Sequence, residues 1–151
     1  MPMRKKGIQR ELSDKVFNYV PVVCNRVQSD RKKQHRKGSI YDYPACVAAC
    51  CTTNDSSKIE VSESSNPVIG KTYKNPVLLH ALMSIGKIGK QSKVTKCKNS
   101  IGHCAEPHVA ELVLNKHSRC SMATLRFSKA IRPRTNAVIE YCDNCKYIFK
   151  L

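Results

Sequence analysis

Two short segments, Cys104-Ala105-Glu106 and Cys142-Asp143-Asn144-Cys145, constrain this chain more than anything else in it. Three thiols and a carboxylate split in this way can meet around one metal ion only if two distant points of the chain come together. The first cysteines of the two segments stand 38 positions apart (142 − 104), so the fold must return on itself over that interval. A Cys-x-Glu at a helix start holds a glutamate beside a metal without making it a ligand. The positive end of the helix dipole favours thiolate and carboxylate at that point. A Cys-x-x-Cys at a second helix start closes the coordination from the other side. Three protein ligands leave a fourth position for water, which is the arrangement of a hydrolytic zinc site.

The pattern around the motifs reads as alternating helices and strands. Pro107 suits a first helical turn, where its missing N–H costs nothing, and Val109, Ala110, Leu112, Val113 and Leu114 supply an apolar face. Met122 to Phe127 predicts a strand, Arg132 to Asn136 a turn, and Ala137 to Tyr141 a second strand that delivers Cys142 to the start of a last short helix. Upstream, Tyr43 to Ser65 predicts a β-hairpin. Its first strand, Pro44 to Cys51, is small and apolar throughout, as in a strand buried on both faces. Turn residues occupy Thr53 to Ser57, and Ile59 to Glu63 alternates. Val77 to Ile85 has the density of a core helix, ended by Gly86 and Gly89. Lys87, Lys90, Lys93, Lys96 and Lys98 form a basic loop just before the first motif, where it would rim the site. Residues 1–40 read as a basic arm. It holds a short helix on Leu12, Val16, Tyr19 and Val20 that Pro21 stops, then the solvated run Arg31 to Lys37. Residues 41–151 form the domain that carries the motifs.

A chain of 151 residues makes one domain with a real core. Its formal net charge is +16, and residues 1–37, with 11 basic against 3 acidic side chains, carry half of it. Such a balance favours a polyanionic partner, nucleic acid first. No run approaches the roughly 18 apolar residues of a membrane span, and no apolar stretch follows the basic N-terminus, so neither a membrane partner nor a secretory signal is expected. The nine cysteines are odd in number, and Cys50-Cys51 are poorly placed to bridge each other. They fit a reducing compartment, either the cytoplasm or the interior of a target cell into which the protein is delivered. Three would serve a metal and six would act as small buried hydrophobes. Two other classes compete. In a zinc module without catalysis, His103 or His108 would complete a four-ligand structural site. In a disulfide-stapled exported protein there would be no zinc.

At the motif residues the chain resembles the zinc-dependent cytidine deaminase superfamily. Gly102-His103-Cys104-Ala105-Glu106-Pro107-His108, Ala130-Ile131-Arg132-Pro133-Arg134-Thr135 and Tyr141-Cys142-Asp143-Asn144-Cys145-Lys146 look like the YwqJ-like branch of polymorphic-toxin deaminases. The resemblance covers about residues 41–151. It implies an α/β fold, a three-layer α/β/α sandwich with a mixed sheet. Six residues follow Cys145 (151 − 145), so that sheet is expected to be shortened at its C-terminal side. It further implies Zn2+ on Cys104, Cys142 and Cys145, with Glu106 as the proton shuttle. The implied reaction is hydrolytic deamination of cytosine in nucleic acid, DNA favoured, or of a cytidine nucleotide. The implied setting is that of a toxin or effector countered by an immunity protein. Many relatives place Pro before the Cys-x-x-Cys; here Tyr141 stands there.

Several further residues are candidates for contact with substrate. The Ala105 backbone N–H is placed to face a developing tetrahedral centre. Asn66 and Asn75 sit in the loop after the hairpin, where related deaminases hold the sugar through an asparagine; as Asn-Pro pairs they equally suit turns. His108, at i+4 from Cys104, is placed to line the pocket. Arg132 and Arg134 bracket Pro133 as a fork for phosphate, or keep a hairpin turn soluble. Tyr141 and Tyr147 offer faces on which a base could stack.

Overall fold

The strand β1 (Val47–Thr52) is buried at all six positions, and every other layer is arranged around it. The computed structural model describes residues 5–35, 37–39, 42–64, 73–117 and 119–151. Successive β1 side chains point to opposite faces. Val47, Ala49 and Cys51 pack into one apolar cluster, and Cys50 into another on the far side. A strand covered on both sides has no use for polar residues, which is why Val-Ala-Ala-Cys-Cys lacks the alternation of a half-exposed strand. β2 (Asp55–Glu63) pairs with β1 antiparallel through the two-residue turn Thr53-Asn54 and is only partly buried.

The first face of β1 is covered by α1 (Lys5–Lys33), a helix of 29 residues. This corrects the reading of residues 1–40 as an arm. Ile8, Leu12, Val16, Val20, Val23 and Val27 recur every three or four positions and are buried against Val47, Ala49, Cys51 and Ile131. Pro21 does not stop the helix, because it lies on the exposed face. There the carbonyl it deprives of a partner, that of Phe17, can turn to water; the Phe17 residue is 51% exposed. The interior proline costs about 3 kcal/mol, whereas each of the six buried side chains stabilises by about 1.5–3 kcal/mol. The cationic run does not stay free either. Arg31, Lys32 and Lys33 form the last turn of α1, where they complement the helix dipole. Arg31 donates to Asp42 at 2.8 Å and to the Ser39 carbonyl at 2.7 Å, with its guanidinium 5.1 Å from the Tyr43 ring centre.

On the opposite face lie α2 (Pro76–Met83), α3 (Ala105–Lys116) and α4 (Asp143–Phe149). Leu78, Leu82, Ile85, Val109, Val113 and Phe127 make the main core there, and Ile148 and Phe149 of α4 lean on it. The fold is therefore α/β with helices on both faces of one sheet. Among the described residues that sheet is antiparallel in every pairing, not mixed, in the order β2-β1-β4-β5, with β3 also on β1. β3 (Leu125–Phe127) and β4 (Ala130–Arg132) are two parts of one bulged strand. Between the pairs Cys50↔Phe127 and Val47↔Ile131, β1 has two residues and its partner three. Ser128 satisfies the bulge: its N–H donates to the Ala49 carbonyl and its Oγ accepts the Ala49 N–H, both at 2.9 Å. The residues expected as a strand from Met122 begin as a 3-10 turn, Met122–Thr124, and become strand only at Leu125. The chain then reverses over residues 133–136 into β5 (Ala137–Ile139), which leads into α4.

Candidate metal centre

Cys104 and Cys142 occupy matching positions, each the residue that caps the start of a helix. Cys104 precedes α3 with φ −66° and ψ 159°, and Cys142 precedes α4 with φ −72° and ψ 162°. Neither thiol caps its own helix. Both are left to meet each other, at 3.2 Å between sulfurs. Cys145 is one turn into α4 and so shares a face with Cys142. The three Sγ atoms all lie within 4.8 Å of one another. Zinc–sulfur bonds of about 2.3 Å place tetrahedral sulfurs roughly 3.8 Å apart, which this spacing brackets. The cluster could hold a metal ion, and three clustered thiols suit a thiophilic one. Among the described residues no histidine, aspartate or glutamate joins the group.

Glu106 stands in the first turn of α3, 3% exposed, with its Oε2 3.8 Å from the Cys145 sulfur. Burial raises its carboxyl to about 7, opposed by its own backbone N–H and reinforced by the charge on Cys142. The thiols are linked in the same way. Hydrogen bonds from Cys104 and then Cys145 lower Cys142, so it ionises first, while sharing a proton with Cys142 raises Cys104. Cys145 is raised by its hydrogen bonds to the other two and by burial. One thiolate thus forms readily without a cation, and the remaining protons leave when a cation binds. All nine cysteines carry free thiols.

Neighbouring residues fix this geometry. Asn144, 3% exposed between the two cysteines of the second motif, donates to the Asn99 carbonyl at 3.0 Å and accepts from the Thr95 hydroxyl. It ties the lysine-rich loop to α4. Asn99 in turn donates to the Cys104 sulfur at 3.8 Å. Tyr73 donates to the Gly102 carbonyl at 2.6 Å. Gly102 itself has φ +84°, and a Cβ there would sit 2.9 Å from the Tyr73 ring, so the turn that delivers Cys104 needs glycine.

The remaining candidates separate. Arg132 and Arg134 line the same cavity as Cys104, of about 770 Å³, together with His103. Ala105 is fully buried, and its backbone N–H donates towards the Cys46 sulfur. His108 does not join the thiols; its ring stacks on Tyr73, 5.2 Å between centres, and burial, then His103, lowers its pKa. Asn75 is elsewhere. It caps α2, accepting from Val77 and Leu78 N–H at 3.1 and 3.2 Å, while its own N–H donates to Glu111. Glu111 lies six positions beyond Ala105 on α3, about 9 Å along the helix at 1.5 Å per residue. Asn66 lies outside the described residues. Tyr141 is half-buried and donates to the Phe127 carbonyl, whereas Tyr147 is 59% exposed.

Cys46 belongs to this site and was not singled out from sequence. It lines the cavity with Cys104, and burial, then the charge of Glu106, pushes its thiol up to about 11. The signal was its parity: Cys46, Ala48 and Cys50 share one face of the strand, and Ala48 packs on Ala105 at the start of α3. Comparison with protein-family models, with curated proteins and with solved structures gives no match to this chain.

Proposed function

We propose that this protein is a zinc-dependent hydrolytic deaminase acting on cytosine, in nucleic acid or as a cytidine nucleotide. The observation that carries the reading is the placement of a buried glutamate against three clustered thiols that have no fourth protein partner among the described residues. A structural zinc module would call for a fourth ligand, and neither His103 nor His108 is in the cluster. Cys104, Cys142 and Cys145 would hold the ion. Zinc at such a site supplies the Lewis acidity that makes water a competent nucleophile at neutral pH.

The protein's own residues do the rest. Glu106 takes a proton from the attacking water and delivers protons to the ring nitrogen and to the departing amine, so that cytosine and water become uracil and ammonia. In the metal-free protein burial already raises this carboxyl to about 7, and a shuttle needs a group that both accepts and releases a proton. The positive N-terminal end of α3 works against the shifts that raise Cys104 and Glu106. Arg132 and Arg134 line the cavity with Cys104, which supports a phosphate-holding role for them. The deaminase-like sandwich, the toxin or effector setting and an immunity protein as partner rest on the motif resemblance. No helix among the described residues is long and apolar enough to cross a membrane.

The test uses zinc-loaded protein with cytidine nucleotides and with single- and double-stranded DNA and RNA. Ammonia is measured, and polynucleotides are sequenced for C-to-U changes. The expected outcome is conversion of at least one substrate by the wild type and loss of about 10²-fold or more in Glu106→Ala, the lower range for a proton-transfer group. Conversion of none of them, or equal conversion by Glu106→Ala, rejects the reading.

A further inference from the structure

The cavity beside Cys104 has a cationic wall. It opens between α1, the open end of the β1–β2 hairpin and the β4–β5 turn, and its wall includes Arg26, Glu63, Arg132 and Arg134. Its acids are already matched. Glu63 receives both terminal nitrogens of Arg26, at 2.6 and 2.9 Å, and Asp42 receives Arg31 at 2.8 Å. The guanidinium groups of Arg132 and Arg134 have no ion-pair partner among the described residues. Two unmatched cations on a concave wall attract an anion. Guanidinium forks match the oxygens of phosphate.

A second set of cations lies on the loop and helix that are tied to the thiols. The Asn99 side chain donates to the Cys104 sulfur, its carbonyl accepts from Asn144, and Asn144 accepts from the Thr95 hydroxyl. Thr95 lines a separate depression of about 360 Å³ with Asp143, Lys146 and Tyr147. Tyr147 offers an exposed ring there. The loop that supplies Thr95 and Asn99 also holds Lys87, Lys90, Lys93, Lys96 and Lys98 in solvent, and none is ion-paired among the described residues. Asp143 is the acid in this depression. A mononucleotide carries its phosphate on one side of its base and has no use for a second, separate cationic surface. A polynucleotide does, and a ring that stacks on bases requires them unpaired.

We propose that the substrate is a single-stranded polynucleotide that crosses the cysteine cluster, with backbone phosphate on Arg132 and Arg134 and on the lysine loop, and a base next to the target stacked on Tyr147. This rests on the deaminase reading for its chemistry, but its binding test does not require turnover. Fluorescence anisotropy with Glu106→Gln protein, zinc-loaded, measures affinity for labelled 12-mer single strands of DNA and of RNA. The matching duplexes and a labelled cytidine monophosphate are measured beside them, across a salt series. Single strands, of DNA, RNA or both, are expected to bind at least tenfold more tightly than duplex or monophosphate. Adding Arg132→Ala and Arg134→Ala should reduce the salt slope by about 1.4, at about 0.7 for each phosphate no longer neutralised. Adding Tyr147→Ala should weaken binding roughly fivefold to a hundredfold, the range for one stacked base. All three side chains are exposed, so folding is retained, and Arg10→Ala on the exposed face of α1 controls for charge alone. Equal binding to duplex or monophosphate, or affinity that the arginine and tyrosine variants leave unchanged, overturns the proposal. Single-strand binding without deamination would instead fault the enzymatic reading and leave this one standing. Deamination of the monophosphate without single-strand binding would do the reverse.

Discussion

Glu106 is the residue whose surroundings say most about what it does. In an aqueous chain its carboxyl titrates near 4.5, and burial in the fold raises it to about 7. Between those values the folded, metal-free protein binds the proton more tightly than the unfolded chain does. Stability therefore falls as pH rises from about 4.5 to about 7, and the loss levels off above that. Its size is on the order of 3 kcal/mol. Glu106→Gln keeps the shape and removes the ionisation. Urea unfolding of chelator-treated protein should show the variant more stable than wild type by about that amount at about pH 8, and little different near about pH 4.5. A difference independent of pH would contradict the burial account. The same scale shows where sequence was legible. Cys104, Cys142 and Cys145 were readable as one cluster because Cys-x-x-Cys supplies two metal ligands and needs a third from elsewhere in the chain. Asn75 was ambiguous because the same Asn-Pro pair caps a helix as well as it lines a pocket, and here it caps. Cys46 was hidden because its neighbours in β1 are also small and buried.

Among the elements, α1 departs furthest from the sequence reading. Its apolar residues continue the same stripe past Pro21, through Val23 and Val27. The cost of an interior proline depends on whether the orphaned carbonyl can reach water, and the local sequence does not reveal which face is exposed. The strand β4 was missed for the opposite reason. Three residues, Ala130 to Arg132, are too few to show a period, and the bulge at Ser128 breaks their continuity with β3. Because α1 supplies one whole side of the cover on β1, residues 41–151 should not fold alone. Circular dichroism and urea unfolding of that fragment are expected to show no cooperative transition. In the full chain, Leu12→Ala, at a fully buried position, should cost about 2–5 kcal/mol. A cooperatively folded fragment, or a Leu12→Ala cost below about 0.5 kcal/mol, typical of surface sites, would return α1 to the status of an arm.

At the scale of the whole molecule, the sheet is the device that brings the two motifs together. α3 reaches the thiol cluster from one connection across β1 and β2, and α4 reaches it from the end of β5. Helix starts separated by 38 positions (142 − 104) thereby place their capping residues against each other. The convergence of the thiols was legible from the motifs, because a Cys-x-x-Cys and a distant cysteine can share one ion only if the fold brings them together. The antiparallel pairing was not legible, because strand direction in a sheet depends on how the 133–136 turn returns the chain and not on the motif residues. Half of the +16 excess lies in residues 1–37, and most of these form α1, which packs on the sheet and is not a detached arm. On the proposed reading, the convergence makes a three-thiolate centre with one position open beside Glu106. X-ray absorption at the zinc edge of the loaded protein tests it directly. The expected result is three sulfurs at about 2.3 Å and one oxygen near 2.0 Å with no imidazole scattering, with one sulfur fewer in each of Cys104→Ala, Cys142→Ala and Cys145→Ala that still binds zinc. Four sulfurs, which would bring in Cys46, or an imidazole in the fourth position, would contradict it.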